Sequence, residues 1–247
     1  MIVTIIRKEL SMLFISPLAW ILLALIQLVL SWVFMVRLDA FLEMQSQLLQ
    51  IANPPGITEI IISPVFAMAA IILLMVAPLL SMRLLAEERR NRTLTLLISS
   101  PVSMTDIVIG KFLGLMVFFL GVISLVVALS ISLRLGGALD YGLLLSNTIG
   151  LFLLTACFSA LGLYISSLTA QPVIAAIGSL GVLLGLWVIN LAASEPDGWL
   201  HYISLLKHFE QFNQGLIDTL SIAYFILFIV TFLVLTIRRL DGERLHG

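Results

Sequence analysis

Six stretches of this chain are each long enough to cross a bilayer as a helix, and none contains Asp, Glu, Lys or Arg. They run approximately over 17–36, 64–82, 112–133, 143–166, 172–192 and 220–237. A hydrocarbon core needs about 20 consecutive apolar residues in helical form. Backbone groups find no water there, so only helices or closed barrels can span it. These runs are continuous rather than alternating, which predicts helices. The expected fold class is all-α, a polytopic membrane protein with six transmembrane helices in one domain over 1–247. Charge explains what is excluded. Only 11% of the residues are charged and 61% are hydrophobic, against roughly 25% charged in a soluble domain. That excludes a soluble enzyme, a nucleic-acid binder and a disordered chain.

An even number of spans puts both termini on one side. With six spans that side holds 10 of the 13 basic residues, among them Arg7, Lys8, Arg83, Arg89, Arg90, Lys111, Arg238 and Arg239. The other side holds Arg37, Arg134 and Lys207. The positive-inside rule therefore places both termini in the cytoplasm. The first run is too long for a signal-peptide core and ends without a small-residue cleavage site, so it is expected to be a retained anchor.

The segments between the runs carry the functional signals. Residues 1–16 read as an amphipathic interfacial helix, with Ile2, Ile6, Leu10 and Leu13 on one face and Arg7, Lys8, Glu9 and Ser11 turned elsewhere. The external 37–63 loop begins with a helix-like pattern and then turns at Asn53-Pro54-Pro55-Gly56. The loop after the second run carries six charges in the ten residues from Arg83 to Arg92. Leu94, Leu96, Leu97 and Ile98 follow, and Pro101 stops them. Topology needs only the arginines. Paired glutamates and an apolar run in a cytoplasmic loop call for a covering partner. Ser103 or Thr105 can cap the helix that follows. Ser167–Gln171 is a tight hairpin, with Pro172 in the first turn of the fifth run. The external 194–219 segment turns at Pro196-Asp197-Gly198. It then repeats Ile203, Leu206, Phe209 and Leu216 at helical spacing, with Trp199 and Tyr202 near the interface.

Several chemistries have no residues to carry them. There is no phosphate-binding G-x-x-x-x-G-K-[ST] sequence and no H-E-x-x-H. No catalytic residue and no metal site is expected; His201, His208 and Glu210 do not have the spacing of a known metal site. All three histidines lie outside the runs, which disfavours a Ser–His hydrolase. No charge lies inside a run, which argues against a proton-coupled carrier. Gln27, Asn147, Thr148 and Asn190 are polar residues suited to helix contact or to lining a path. Cys157 is a lone cysteine suited to core packing. In the fifth run Gly178, Gly181 and Gly185 form a close-packing face.

These features together resemble the permease subunit of ABC type-2 exporters, in its gliding-motility and nitrous-oxide-reductase-maturation branch. The resemblance covers essentially the full length. It begins at Ile5-Ile6-Arg7-Lys8-Glu9-Leu10 and Ser16-Pro17. Its strongest part runs from Glu87-Glu88-Arg89-Arg90-Asn91-Arg92-Thr93-Leu94 through Pro101-Val102-Ser103 to Gly110-Lys111. It continues at Ile165-Ser166-Ser167-Leu168-Thr169 and Gln171, then His208-Phe209-Glu210-Gln211-Phe212 and Gly215-Leu216-Ile217-Asp218-Thr219. The resemblance implies a non-catalytic membrane subunit that pairs with a second permease copy, a homodimer, in the bacterial cytoplasmic (inner) membrane. Two ABC ATPase subunits would carry ATP and Mg, and this chain would bind no cofactor. An auxiliary extracytoplasmic protein is a further implied partner. Glu87, Glu88, Arg89, Arg90, Arg92, Thr93, Leu94 and Leu97 would form the coupling helix docked on the ATPase. Gly178, Gly181 and Gly185 would lie at the dimer seam. His208, Phe209, Glu210 and Phe212 would belong to a re-entrant external gate. Relatives often carry Glu where this chain has Thr95, a departure on the docking surface.

Three functional classes follow. An ATP-driven exporter subunit predicts a copurifying ATPase whose stimulation is lost on charge reversal at Glu87 and Glu88. A permease-derived scaffold for a motility or assembly complex would keep the docking loop without moving a solute. An intramembrane hydrolase would need a labelled serine and lacks its catalytic pair.

Overall fold

The computed structural model describes residues 2–48, 56–91, 93, 103–135, 139–192 and 204–246. Among these residues the chain is helical and contains no strand. Helix α1 spans Ile2–Ile15 and α2 spans Pro17–Leu48. A π-helical turn, Thr58–Ile62, leads into α3, Ser63–Arg90. Helix α4 is Met104–Ile131, α5 Tyr141–Leu168, α6 Pro172–Ala192, α7 Leu205–Asn213 and α8 Thr219–His246.

Among the described residues, five helices are long and apolar enough to cross a membrane: Pro17–Gln45, Thr58–Arg90, Met104–Arg134, Tyr141–Leu168 and Thr219–Arg244. The helix of the fifth run, α6, is apolar over the shorter stretch Pro172–Val188. The helices outrun the apolar stretches that reveal them, because polar caps rather than hydropathy set helix ends. Ser103 accepts a hydrogen bond from Asp106 N at 3.0 Å and starts α4 about two turns before Phe112. Asp140 accepts from Gly142 N and Leu143 N and starts α5. Ser16 separates α1 from α2, and Pro17 takes the first position of α2, where its missing N–H costs nothing. Helix α2 continues past Arg37 to Leu48, so the first half of the expected external loop is part of the first span's helix. Asn53, Pro54 and Pro55 lie outside the described residues.

Helix α5 is the centre of the bundle and packs against α3, α4, α6, α7 and α8. Small residues make this possible. A Cβ on Gly162 would collide with the Ser81 side chain of α3. Two buried hydroxyls on α5 are satisfied within the helix: Thr155 donates to Leu151 O at 2.6 Å and Ser159 to Thr155 O at 2.8 Å. Ser166 ties α5 to α3, donating to Met82 O at 2.9 Å and accepting from Ala86 N at 3.0 Å. Phe66, Phe118, Phe119, Phe158 and Phe225 fill the core. Cys157 is wholly buried, with Sγ 3.6 Å from Phe225 O. Trp20, Ile21, Leu25, Leu28 and Trp32 on α2 stay exposed, as expected of a face that meets hydrocarbon rather than water.

A charged cluster at the basic end

Glu87, Glu88, Arg89 and Arg90 form the last turn of α3 rather than a separate helix after it. Basic residues at a helix C-terminus oppose the negative end of the backbone dipole, which favours continuation. Two carbonyls of that end are also satisfied. Asn91 N bonds Glu87 O at 2.9 Å and Thr93 Oγ1 donates to Glu88 O at 3.2 Å. Arg92, Leu94 and Leu97 of the expected coupling helix lie outside the described residues, as do Leu96, Ile98 and Pro101.

The two glutamates have different roles. Glu88 turns inward. Lys111 Nζ, from α4, lies 2.9 Å from Glu88 Oε1 and 2.6 Å from Glu9 Oε1 of α1. Lys8 Nζ joins at 3.5 Å from Glu88 Oε1. Lys111 is 1% exposed and Glu9 4%. A lone buried charge would be costly, whereas two acids and two bases together balance. The amphipathic reading of α1 is therefore corrected at one position. Glu9 does not face away with Arg7 and Ser11 but is buried against α4. It can approach because α4 offers glycine at two positions one turn apart. A Cβ on Gly110 would stand 2.9 Å from Ile5 Cβ, and one on Gly114 would stand 2.9 Å from Glu9 Cβ. Sequence reasoning missed this site. The signal available was the pair Gly110 and Gly114, four residues apart on either side of Lys111.

Arg89 is also committed internally. Its Nη2 lies 2.9 Å from Glu243 Oε2 on α8 and donates to Ser167 O of α5 at 2.7 Å. Arg239 Nε adds a contact of 3.3 Å to Glu243 Oε1. Replacing Arg89 with Gln should therefore loosen the end of α8 by about 1 kcal/mol, since the pair is partly exposed. Faster amide exchange over the last two turns of α8, with the centre of α5 unchanged, is the expected readout. What remains outward is Glu87, Arg90, Asn91 and Thr93, all exposed. Glu87 and Arg90 make no ion pair among the described residues.

At the opposite end α7 is held by its apolar face. Ser204 caps it, accepting from Lys207 N at 3.3 Å. Phe209 and Phe212 are buried, while Glu210 is exposed and lies 3.7 Å from Lys207. Ser146 of α5 donates to Phe212 O at 2.8 Å and Ser63 of α3 to Asn213 O at 3.0 Å. His208 stacks on Tyr224 with ring centroids 4.5 Å apart, and its Nδ1 is 2.9 Å from Ser221 Oγ. This is a Ser–His contact, but Ser221 is fully buried and its hydroxyl donates to Gln211 Oε1 at 2.6 Å. It braces α7 against α8. The His201, Trp199, Tyr202 and Ile203 positions lie outside the described residues. On α6, a Cβ at Gly178 would approach Ile165 at 3.3 Å, whereas Gly181 and Gly185 have nothing within 4 Å. No element of the described chain covers those two glycines.

Long apolar helices wrapped around a buried central helix, with their charges gathered at the ends, define a multi-pass α-helical membrane protein. The family model for ABC-2 family transporter proteins matches residues 3–243, and the chain belongs to that family. Its members are typically non-catalytic transmembrane subunits, and membership implies an ABC ATPase partner in general. No similar protein is found among the curated proteins.

Proposed function

We propose that this protein is the membrane-spanning permease subunit of an ATP-driven ABC exporter, with ATP and Mg held by a separate ATPase. The observation that carries the reading is the division of labour in the last turn of α3. Its inward charges are tied to α1, α4, α5 and α8, and its outward charges, Glu87 and Arg90, are unpaired among the described residues. A push on the outward side would therefore be passed to four helices at once. Arg92, Thr93, Leu94 and Leu97 extend the same docking surface in this reading.

The rest of the assembly follows the family. Helix α6 has 21 residues, roughly 30 Å, which is enough for a sixth span. The basic end faces the cytoplasm of a bacterial inner membrane, with both termini there. A second copy seats on the open glycine face of α6 at Gly181 and Gly185, next to Gly178. Helix α7, with His208, Phe209, Glu210 and Phe212, closes the outer mouth. The branch is that of the gliding-motility and nitrous-oxide-reductase-maturation permeases, with an auxiliary extracytoplasmic protein as a further partner.

Glu87→Lys tests the docking surface without touching the core. Permease-stimulated ATP hydrolysis by the copurified ATPase is expected to fall about tenfold, equivalent to roughly 1.4 kcal/mol of coupling. The melting temperature of the permease should not change, because Glu87 is exposed. Full stimulation in the Glu87→Lys and Arg90→Glu variants would show that the docking surface lies elsewhere. A complex that retains the ATPase but shows no substrate-dependent hydrolysis in vesicles would point to the scaffold.

A further inference from the structure

A cleft of about 360 Å³ opens beside the buried ion pairs, between α1, the start of α2 and the last three turns of α3. That is within the ordinary size range of ligand pockets, roughly 300–1,000 Å³. Its lining changes character along its length. Leu80 and Leu84 lie deep on α3, opposite Met12 and Leu13 of α1 and Leu18 of α2. Arg83, Glu87, Glu88 and Asn91 follow toward the end of α3, with Lys8 across from them. From Leu80 to Asn91 the helix rises about 16 Å. One end of the cleft is therefore apolar and the other charged.

Two groups in the charged end have unmet needs. Arg83 is half-buried and makes no ion pair or hydrogen bond among the described residues. Glu88 Oε2 is buried with no hydrogen-bond partner, although Oε1 is paired. The lining charges cancel: Lys8, Arg83 and Lys111 against Glu9, Glu87 and Glu88. A neutral occupant fits this balance best. It should offer an anion to Arg83 and a cationic N–H donor to Glu88 Oε2, and it should continue into an apolar tail.

We propose that the cleft holds a zwitterionic phospholipid with a primary ammonium head group, of the phosphatidylethanolamine class, as a resident lipid rather than as cargo. The phosphate meets the Arg83 guanidinium and the ammonium donates to Glu88. The acyl chains leave along Met12, which is 46% exposed. A choline head has no N–H to give Glu88, and a glycerol head supplies no cation, so both satisfy only half of the site. The inference depends on the chain lying in a membrane and not on its being a transporter.

The test is lipid retention by the full-length protein. The chain is purified in detergent, stripped of lipid, and exposed to micelles containing equal amounts of phosphatidylethanolamine, phosphatidylcholine and phosphatidylglycerol. Bound lipid is then counted by native mass spectrometry. Phosphatidylethanolamine should be retained about tenfold over the other two, the worth of one charge-assisted hydrogen bond. Arg83→Gln should abolish that preference and Arg83→Lys should keep it. Met12→Trp, at a surface position, should fill the apolar end and displace the lipid even if the Arg83 variants fold poorly. Soluble glycerophosphoethanolamine should not compete at equal concentration. Equal retention of all three lipids, a preference for phosphatidylglycerol, or an unaltered Met12→Trp variant would overturn the proposal. Competition by the soluble head group as strong as by the intact lipid would also overturn it.

Discussion

Replacing Lys111 with methionine is expected to destabilise the protein by about 3–5 kcal/mol, the cost of removing one partner from a buried ion pair. Methionine matches the lysine stem in volume, so packing is largely retained. What changes is that Glu9, 4% exposed, loses its only ion-pair partner among the described residues, at 2.6 Å, and Glu88 loses its contact at 2.9 Å. Lys8 is a poor substitute, because it reaches only Glu88, at 3.5 Å, and its side chain is half exposed. Denaturant unfolding of the detergent-solubilised protein should show the midpoint falling sharply. The charge explanation has a second check. The triple variant Glu9→Gln, Glu88→Gln, Lys111→Met removes the buried charges together, leaving only the half-exposed Lys8, and should recover at least half of the loss. A Lys111→Met protein that melts like the parent would mean the network is wetter than its burial indicates. A triple variant no better than the single would mean that geometry, not charge, is what Lys111 provides.

Gly150→Ala is expected to unseat α7 at a cost of about 2 kcal/mol. The added Cβ would stand 2.5 Å from Phe212 Cβ and 2.9 Å from Phe212 Cγ. Phe212 cannot rotate away from a clash at its own Cβ, so α7 must shift as a body. That shift breaks the Ser146 bond to Phe212 O and weakens the Ser63 bond to Asn213 O. Hydrogen exchange across Leu205–Asn213 should rise while α1 and the buried ion pairs stay protected. Phe212→Ala cannot relieve a clash with Cβ, so the double variant should remain loosened; full recovery in it would place the conflict elsewhere. Gly181→Ala is the contrasting case. Nothing in the described chain lies within 4 Å of it, and alanine favours helix by up to about 1 kcal/mol over glycine. The single chain should be unharmed by it. Loss of self-association in this variant alone would support the proposed seat of a second copy on that face.

The sequence made some features legible and hid others for definable reasons. The apolar runs located all the long helices among the described residues, because hydropathy over a bilayer's thickness is a sum over many residues and tolerates local error. Ser103 was legible as a cap, since the cap acts on an amide three residues away. The continuous last turn of α3 was not. Six charges in ten residues read as a loop, yet Glu88 and Arg89 are matched by Lys111 and Glu243, far away in the chain. The inward turn of Glu9 was hidden for a related reason. Helical periodicity assigns a residue to a face but does not say what the neighbouring helix presents to it.

By itself the sequence determined that the protein is a helical membrane bundle, because charge-free runs of bilayer length leave the backbone no other way to satisfy its hydrogen bonds. It also fixed which end collects the basic residues, since that is a property of loop composition alone. Only the tertiary structure decided which of those charges are outward. An ion pair between Glu9 of α1 and Lys111 of α4 depends on two helices approaching across Gly110 and Gly114. Burial then makes the pairing obligatory, because a charge removed from water must find its opposite or cost several kcal/mol. The same cluster that appeared as one uniform surface in the chain is thereby divided into a buried brace and a short exposed edge of Glu87, Arg90, Asn91 and Thr93.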